Sequence, residues 1–187
     1  GLALETVDGG ILEDISVTNV TMRDCMGAPF FLRLGARMRG PEGVPVGKLR
    51  RVNISNFVVY ASNPDYASLI LGMQGYDIED VKMSNIFLYV KGGAPKEQAE
   101  VVVPERDNSY PDPQEFGKMP AYGFYIRHVK NIELSNVELR LENDDPRPAL
   151  ILDDVKGASF FNVRAQKAKD VPTFVLKNVT DFKTVQC

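Results

Sequence analysis

A short phrase of alternating apolar and polar residues recurs along the chain and predicts its secondary structure. Clear copies of the phrase end in Asn19, Asn56, Asn85 and Asn136, and a weaker copy ends in Asn162. Alternation with a period of two predicts a β-strand that has one buried face. A phrase that returns every few tens of residues is typical of stacked-repeat proteins, so the repeat is the main evidence for the fold.

Each asparagine interrupts the alternation of its phrase. In the first copy, Ile15 and Val17 share one face of the strand, whereas beyond Asn19 the apolar positions resume at Val20 and Met22. A residue in the left-handed backbone conformation shifts the parity in this way, and Asn is among the non-glycine residues that adopt it most readily. We therefore expect a corner at each asparagine, with the side chains buried and hydrogen-bonded to those of neighbouring repeats.

A second set of apolar runs lies between the copies of the phrase and predicts further strands. These runs are 30–34, 68–71, 123–126, 149–152 and 173–176. The asparagines are 37, 29, 51 and 26 residues apart, and the two longest spacings contain insertions rich in Gly, Pro and charge at 35–48 and 92–120. Insertions of this kind are typical of loops that leave one face of a solenoid.

Together these patterns predict an all-β fold, a parallel β-helix of about five to six coils that forms a single unit over residues 1–187. No stretch keeps apolar residues at helical spacing for the length that a helix needs. A β-sandwich is the alternative, but its turn signals should fall every ~8–12 residues and include two-residue hairpins.

Composition and charge narrow the possible functions. With 187 residues and 44% apolar content, the chain is large enough for one domain with a packed core. A net charge of −3 gives no overall positive field, so no nucleic-acid partner is predicted. No apolar run is long enough for a membrane span. Cys25 and Cys187 lie at opposite ends of the predicted stack, too far apart for a disulfide, and we expect each to be a free, locally buried thiol.

Neither end of the chain carries an obvious capping repeat. Residues 1–5 resemble the middle of a coil, and residues 179–187 begin another phrase without its asparagine. Stacked-repeat proteins need atypical terminal repeats to cover the ends of the core. We therefore expect the remainder of the same β-helix at the N-terminal end.

Four runs of sequence resemble bacterial family 28 glycoside hydrolases, the polygalacturonase and rhamnogalacturonan-hydrolase relatives, and the similarity continues between them over nearly all of the chain. The runs are 1–10, 30–37, 123–129 and 147–155. The resemblance implies a right-handed parallel β-helix, an inverting hydrolysis of pectin-type acidic polysaccharide, and a secreted or periplasmic location. It implies no metal ion or organic cofactor. The similarity covers the C-terminal part of such an enzyme.

The catalytic motifs of that family are not found in a convincing form. Asn-Thr-Asp, Gly-His-Gly and Arg-Ile-Lys are absent, and Asp-Asp occurs only at 144–145 and 153–154, beyond the point where the family's active site should have passed. Inverting enzymes of this type use two carboxyl groups about 6.5–9.5 Å apart. We assign no catalytic residue within the chain and expect the catalytic carboxylates upstream of Gly1.

The candidate substrate-binding residues are Arg33, Arg37, Glu5 and Asp8. The segment 33–51 has six basic residues and one acidic residue, which is a local excess in an acidic chain. Arginine binds carboxylates in a bidentate manner, and every uronate unit of pectin offers one carboxylate. Glu5 and Asp8 lie nearest to the expected upstream site, so a position beside the cleft is plausible for both; an exposed acid or a turn residue is the simpler explanation.

Other residues that could contribute to a site are Tyr110, Tyr122 and His128. The two tyrosines flank the second insertion, where loops on a rigid scaffold often carry binding residues. His128 is the only histidine, and a structural or surface role is the favoured interpretation. Two alternatives to the hydrolase remain: a non-catalytic β-helix that binds polysaccharide or serves as an adhesin-like rod, and a polysaccharide lyase, whose calcium would need clustered carboxylates.

Overall fold

The computed structural model describes residues 1–187 and shows an all-β chain whose named strands pair only in parallel. The strands are β1 (Leu2–Thr6), β2 (Ile11–Arg23), β3 (Phe30–Leu34), β4 (Lys48–Ser62), β5 (Ser68–Leu71), β6 (Ile78–Gly92), β7 (Phe124–Asn143), β8 (Leu150–Ala165) and β9 (Phe174–Val185). Two short 3₁₀ helices, Lys96–Glu100 and Pro113–Phe116, lie between β6 and β7. No helix has the length and apolarity needed to cross a bilayer.

The pairing register stacks each repeat of the sequence on the next. The strands β1, β3, β5 and the beginning of β7 pair in that order, and β2, β4, β6 and the rest of β7 form a parallel series beside them. β8 pairs with β7 and β9 with β8 along nearly their whole length. The prediction of parallel stacking and of an all-β fold is confirmed, and the five apolar runs identified in the sequence all lie in these strands.

The strand alternation divides each repeat into an inward and an outward set of side chains. In β4, Val52 and Ile54 before Asn56 and Phe57 and Val59 after it are buried, as the parity shift predicts, whereas Asn56 itself is exposed. Equivalent residues of successive repeats stack in the core, and burying each such side chain contributes about 1.5–3 kcal/mol. The core is therefore a continuous apolar column that lies inside the stacked strands.

The repeated asparagines are left-handed corners, as expected. Their φ angles lie between 50° and 61° from Asn19 to Asn162. From Asn56 onward, each side-chain amide N–H donates to the side-chain Oδ1 of the asparagine in the preceding repeat, over 3.0, 3.0, 3.3 and 2.9 Å along the series. The expectation that these side chains are buried is wrong. The first four are exposed and the last is half-buried, because the chain turns around the corner and leaves the side chain outside.

The two cysteines are both free thiols, and only one of them is buried. Cys25 is buried and Cys187 is exposed, and neither forms a disulfide. The expectation of a locally buried thiol at Cys187 is wrong, because β9 ends the stack and no later strand covers the residues that follow it.

Candidate functional site

A long loop, residues 92–120, covers part of the outward face of the sheet and forms the wall of the candidate site. Phe31, Leu69 and Tyr125 lie on this face, and Val103 and Phe116 of the loop pack against them in a second apolar cluster. The other insertion, 35–47, also carries no strand. These two segments correspond to the insertions marked in the sequence, and the candidate site lies where they meet.

Arg33 attaches the long loop to the sheet. Its guanidinium donates to the backbone carbonyl oxygens of Gly72 at 3.0 Å, Glu105 at 3.3 Å and Arg106 at 2.9 Å, and its side chain is 2% exposed. Burial lowers the pKa of this guanidinium to about 10, against the opposing effect of Asp107. Arg33 was expected on a substrate-binding rim; the structure places it beneath the loop, with its donors directed at backbone carbonyls.

Arg127 repeats this arrangement two strands farther along the sheet. Its Nη1 donates to the carbonyl oxygen of Val103 at 2.8 Å and its Nη2 to that of Pro104 at 2.7 Å, while Nη1 also lies 3.3 Å from a Glu105 carboxylate oxygen. Both arginines are buried. Hydrogen bonds from charged donors are about twice as strong as neutral ones, so residues 103–106 are firmly held on the strands.

Asp8 and Arg37, two of the other predicted site residues, contact each other directly. The guanidinium of Arg37 binds both carboxylate oxygens of Asp8, and the backbone N–H of Arg39 donates to the same carboxylate at 2.9 Å. These hydrogen bonds hold the pKa of the Asp8 carboxyl at about 2. Arg37 also lies over the ring of Tyr110, 5.5 Å from its centroid. Three separate segments therefore meet at this point.

Glu5 completes the group from the first strand. It is exposed, it pairs in register with Arg33, and partial burial of its carboxyl group together with the negative charge of Asp112 raises its pKa. Thus the region at the end of β1 contains two acidic groups with opposite pKa shifts, Glu5 and Asp8. We name Glu5, Asp8, Arg37, Tyr110 and Asp112 the rim cluster.

Most of the basic excess in the first insertion is neutralised by the preceding repeat. Arg50 binds Glu13 at 2.7 Å, and Arg51 binds Glu13 at 2.9 Å and Asp14 at 2.6 Å. These pairs follow from the register, since Glu13 lies beside Arg50 in the adjacent strand. Lys48 and Arg39 remain exposed and form no ion pair.

A histidine, His128, lies between two carboxylates at the edge of the long loop, and sequence analysis did not identify these two contacts. His128 Nδ1 lies 2.7 Å from Asp154 Oδ2 and Nε2 lies 3.1 Å from Glu105 Oε2. His128 and Asp154 occupy the same left-handed corner in successive repeats, with φ angles of 54° and 53°. Alignment of the repeats would have indicated the contact with Asp154, whereas nothing in the sequence indicates the contact with Glu105.

Several further candidates have structural partners. Tyr122, considered as a binding residue, is buried, and its hydroxyl donates to the Gln166 carbonyl oxygen, so that expectation is wrong. Tyr110 is 63% exposed. Of the paired acidic residues, Asp145 is fully buried against Arg147, and Asp153 accepts a hydrogen bond from Tyr125 at 3.4 Å.

The arrangement can therefore present a fixed arginine, an exposed tyrosine ring and free acidic groups to a ligand at one end of the sheet. Comparison with protein-family models, with curated proteins and with solved structures finds no match to this chain.

Proposed function

We propose that this chain forms the C-terminal coils of a right-handed parallel β-helix, with about five to six coils, that belongs to a pectin-degrading glycoside hydrolase. In this proposal, the complete secreted or periplasmic enzyme hydrolyses galacturonan-type polysaccharide by inversion. The residues described here supply scaffold and one rim of the substrate cleft. The parallel register between successive repeats and the left-handed asparagine corners support the β-helix.

The N-terminal end of the stack supports the expected continuation of the β-helix. The outer edges of β1 and β2 pair with no other strand. A cavity of about 550 Å³ opens there, and most of its lining is apolar, including Leu2, Val17, Val20, Met22 and Phe57. An unpaired strand edge beside an open apolar core is a surface onto which a further coil can stack. The proposed catalytic carboxylates belong to such preceding coils.

The observation that carries the proposed substrate is the rim cluster. Asp8 fixes the guanidinium of Arg37, so that little conformational entropy is lost when a carboxylated sugar binds. Tyr110 is 63% exposed beside it and offers a ring face for stacking. Arg39 is held beside Asp8 by its backbone N–H, and its exposed side chain, which forms no ion pair, adds a positive charge at the same place. Arg39 and the Nη1 of Arg37, to which Asp8 does not bind, suit the carboxylate of a uronate unit, and the ring of Tyr110 suits its apolar face.

Titration of the chain with an oligogalacturonate, followed by calorimetry, tests this proposal. We expect saturable binding that weakens as salt rises, because the contact is between exposed charges. Arg37→Gln should weaken binding by about tenfold, the usual effect of removing one hydrogen bond from a charged donor. Arg164→Gln, which removes an exposed arginine from β8, is the matched control and should leave binding unchanged. Equal binding by both variants would refute a role for the rim cluster.

Non-catalytic polysaccharide binding is the second candidate function. The cover that the long loop lays over the outward face favours it, because a covered face leaves less room for an extended catalytic cleft. The two proposals differ in one measurement, the release of reducing ends from pectin by the longest natural form of the polypeptide. Release of reducing ends, also by the Arg37→Gln variant at saturating substrate, would support the hydrolase proposal. Binding of pectin without any release of reducing ends would support the proposal of a non-catalytic binding protein.

A further inference from the structure

The segment 103–107 of the long loop lies over two arginines of the sheet, and its packing there leaves buried polar atoms without partners. Arg33 and Arg127 donate to backbone carbonyl oxygens of this segment. The Nε of Arg127 and the Oδ1 of Asp107 are nevertheless buried and form no hydrogen bond. Buried polar atoms are nearly always paired, so the closed position of the segment carries a cost. A segment with such contacts opens locally more readily than the strands beneath it.

His128 connects this segment to the strands through one carboxylate on each side of its ring. Nδ1 lies 2.7 Å from Asp154 Oδ2 and Nε2 lies 3.1 Å from Glu105 Oε2, and the side chain of His128 is 8% exposed. A neutral imidazole has one N–H donor and one acceptor nitrogen, whereas an imidazolium has two donors. Both carboxylates are therefore bound only by the charged ring, because a neutral ring turns a lone pair towards one of them.

The contact with Glu105 is the one that a neutral ring gives up. The contact with Asp154 is the shorter of the two, so we expect the neutral ring to keep its proton on Nδ1. Asp154 lies in β8, which pairs directly with the strand of His128, whereas Glu105 lies in the loop with its side chain 49% exposed. Loss of the second ring proton therefore removes a contact that holds the loop.

His128 is the group of this cluster whose charge changes near neutral pH. Histidine is the side chain that ordinarily titrates between about pH 5 and 8, and the chain has only this one. The other charged or titratable groups around the cluster come from the neighbouring strands, the turn after β5 and the loop, and their residue types do not ordinarily titrate in that range. They are Arg33, Asp77, Asp107, Tyr125, Arg127, Asp153 and Lys156.

We propose that Glu105, His128 and Asp154 form a pH-dependent latch, which holds the segment 103–107 on the sheet in acid and loosens it as the pH rises. Two carboxylates favour the charged ring, so the stabilisation is complete below the ordinary pKa of a histidine, ~6.5, and is lost at higher pH. Arg33 and Arg127 still hold the segment in the neutral state, so the latch changes how often the segment opens. Each opening uncovers these two guanidiniums. The latch goes beyond the proposed function, because it requires no ligand.

Amide hydrogen exchange of the whole chain, followed by NMR at about pH 5.5 and about pH 8 and corrected for intrinsic rates, tests the latch. The Ala36 N–H donates to the Asp107 carbonyl oxygen at 2.6 Å, so its protection reports on the closed segment. The Met119 N–H, which donates to the Asp65 carbonyl oxygen at 3.0 Å, reports on the other end of the loop. We expect the protection of Ala36 to fall about fivefold at the higher pH, the effect of losing one partly exposed ion pair, and that of Met119 to stay constant.

Two variants should abolish this pH dependence, and a third should keep it. His128→Asn removes the titrating ring and retains a residue type that suits the left-handed corner. Glu105→Gln removes the charge from the loop side, at an exposed position where the fold is not at risk. Glu133→Gln is the matched control, because it removes a partly exposed carboxylate of β7 that pairs with Lys82 on a different surface.

The nitrogen NMR signals of the single imidazole give a second readout. Both nitrogens should be protonated at the lower pH and only Nδ1 at the higher pH. The latch is overturned if the protonation of the ring does not change, if the neutral ring carries its proton on Nε2, or if the protection of Ala36 is the same at both pH values. It is also overturned if the pH dependence persists in His128→Asn or Glu105→Gln, disappears in Glu133→Gln, or extends equally to Met119, since the segment would then not be responding to this histidine.

Discussion

Removal of the Asp145 carboxylate should destabilise the protein more than any other single change in its charged residues. Asp145 and Arg147 lie just before β8, and neither side chain has any solvent exposure. Arg147 donates to Asp145 through Nε at 2.8 Å and through Nη2 at 2.7 Å. The same pair holds both ends of the long loop, because Arg147 Nη1 donates to the Met119 carbonyl oxygen at 3.1 Å and the Ala94 N–H donates to Asp145 at 3.4 Å.

The expected magnitude follows from the charge that remains. In Asp145→Ala, the guanidinium of Arg147 stays buried with one backbone acceptor in place of a carboxylate. Breaking a buried ion pair in this way costs about 3–5 kcal/mol, which is a large part of the ~5–15 kcal/mol that stabilises a typical domain. Removing Arg147 as well eliminates the unpaired charge. The stability losses of Asp145→Ala and Arg147→Ala, added together, should therefore exceed the loss of the double variant by about 1–3 kcal/mol.

Urea denaturation followed by circular dichroism measures these free energies of unfolding. The matched control is Glu138→Ala, because Glu138 and Arg140 form an exposed pair with the same two-residue spacing, with side chains 39% and 55% exposed. This control should cost less than ~1 kcal/mol. A loss below ~1 kcal/mol in Asp145→Ala, or strictly additive losses in the double variant, would refute the reasoning from burial.

Three further predictions concern the corner, the rim cluster and the loop contact. Asn85→Ala should cost about 1–2 kcal/mol in urea denaturation, because residue 85 has a φ angle of 53° and a left-handed backbone strains alanine; Asn85→Gly should recover most of this loss, and equal losses would contradict the backbone explanation. Arg37→Gln should raise the pKa of Asp8 from about 2 towards 3.8 in a carbon-detected NMR titration, since the Asp8–Arg37 contact is complete above pH 3.8 and is lost as the pH falls through about 2. Tyr125 should ionise near pH 12 in an ultraviolet titration, because burial raises its pKa to about 12. The burial of the neutral phenol contributes fully to stability below the pKa of a free phenol, ~10, and this contribution is lost as the pH rises through about 12. Ionisation near pH 10 in the folded protein would contradict the burial.

The strands and corners could be predicted because they depend on local sequence. An alternating run such as 52–59 has only one way to bury Val52, Ile54, Phe57 and Val59 together, and that way requires a turn at Asn56. The direction of the Asn56 side chain was predicted wrongly, because burial at a corner depends on what covers the outside of the stack. No segment covers the asparagines, so they bond to each other in contact with solvent.

The candidate site was predictable only where it depends on neighbouring repeats. Asp8 and Arg37 directly follow the strands β1 and β3, whose register brings them together, so aligning the repeats would have indicated their contact. Arg33 also points outward, as its alternation with Leu32 and Leu34 indicates. Its burial arises from the long loop, whose irregular sequence of glycines, prolines and charges does not indicate where it lies. The contacts of His128 with Glu105 were hidden for the same reason.

The way in which the long loop is held has a consequence for the rim. Arg33, Arg127 and Arg147 all donate to backbone carbonyl oxygens of the loop, at Arg106, Val103 and Met119 among others. A carbonyl oxygen is present whatever side chain the residue carries, so these contacts fix the path of the loop with little demand on its sequence. Side chains at exposed loop positions can then change without loss of the fold. The path of the loop on both sides of Tyr110 is thus fixed by arginines in the strands and at the turn before β8, whereas these contacts place no demand on the side chain at position 110.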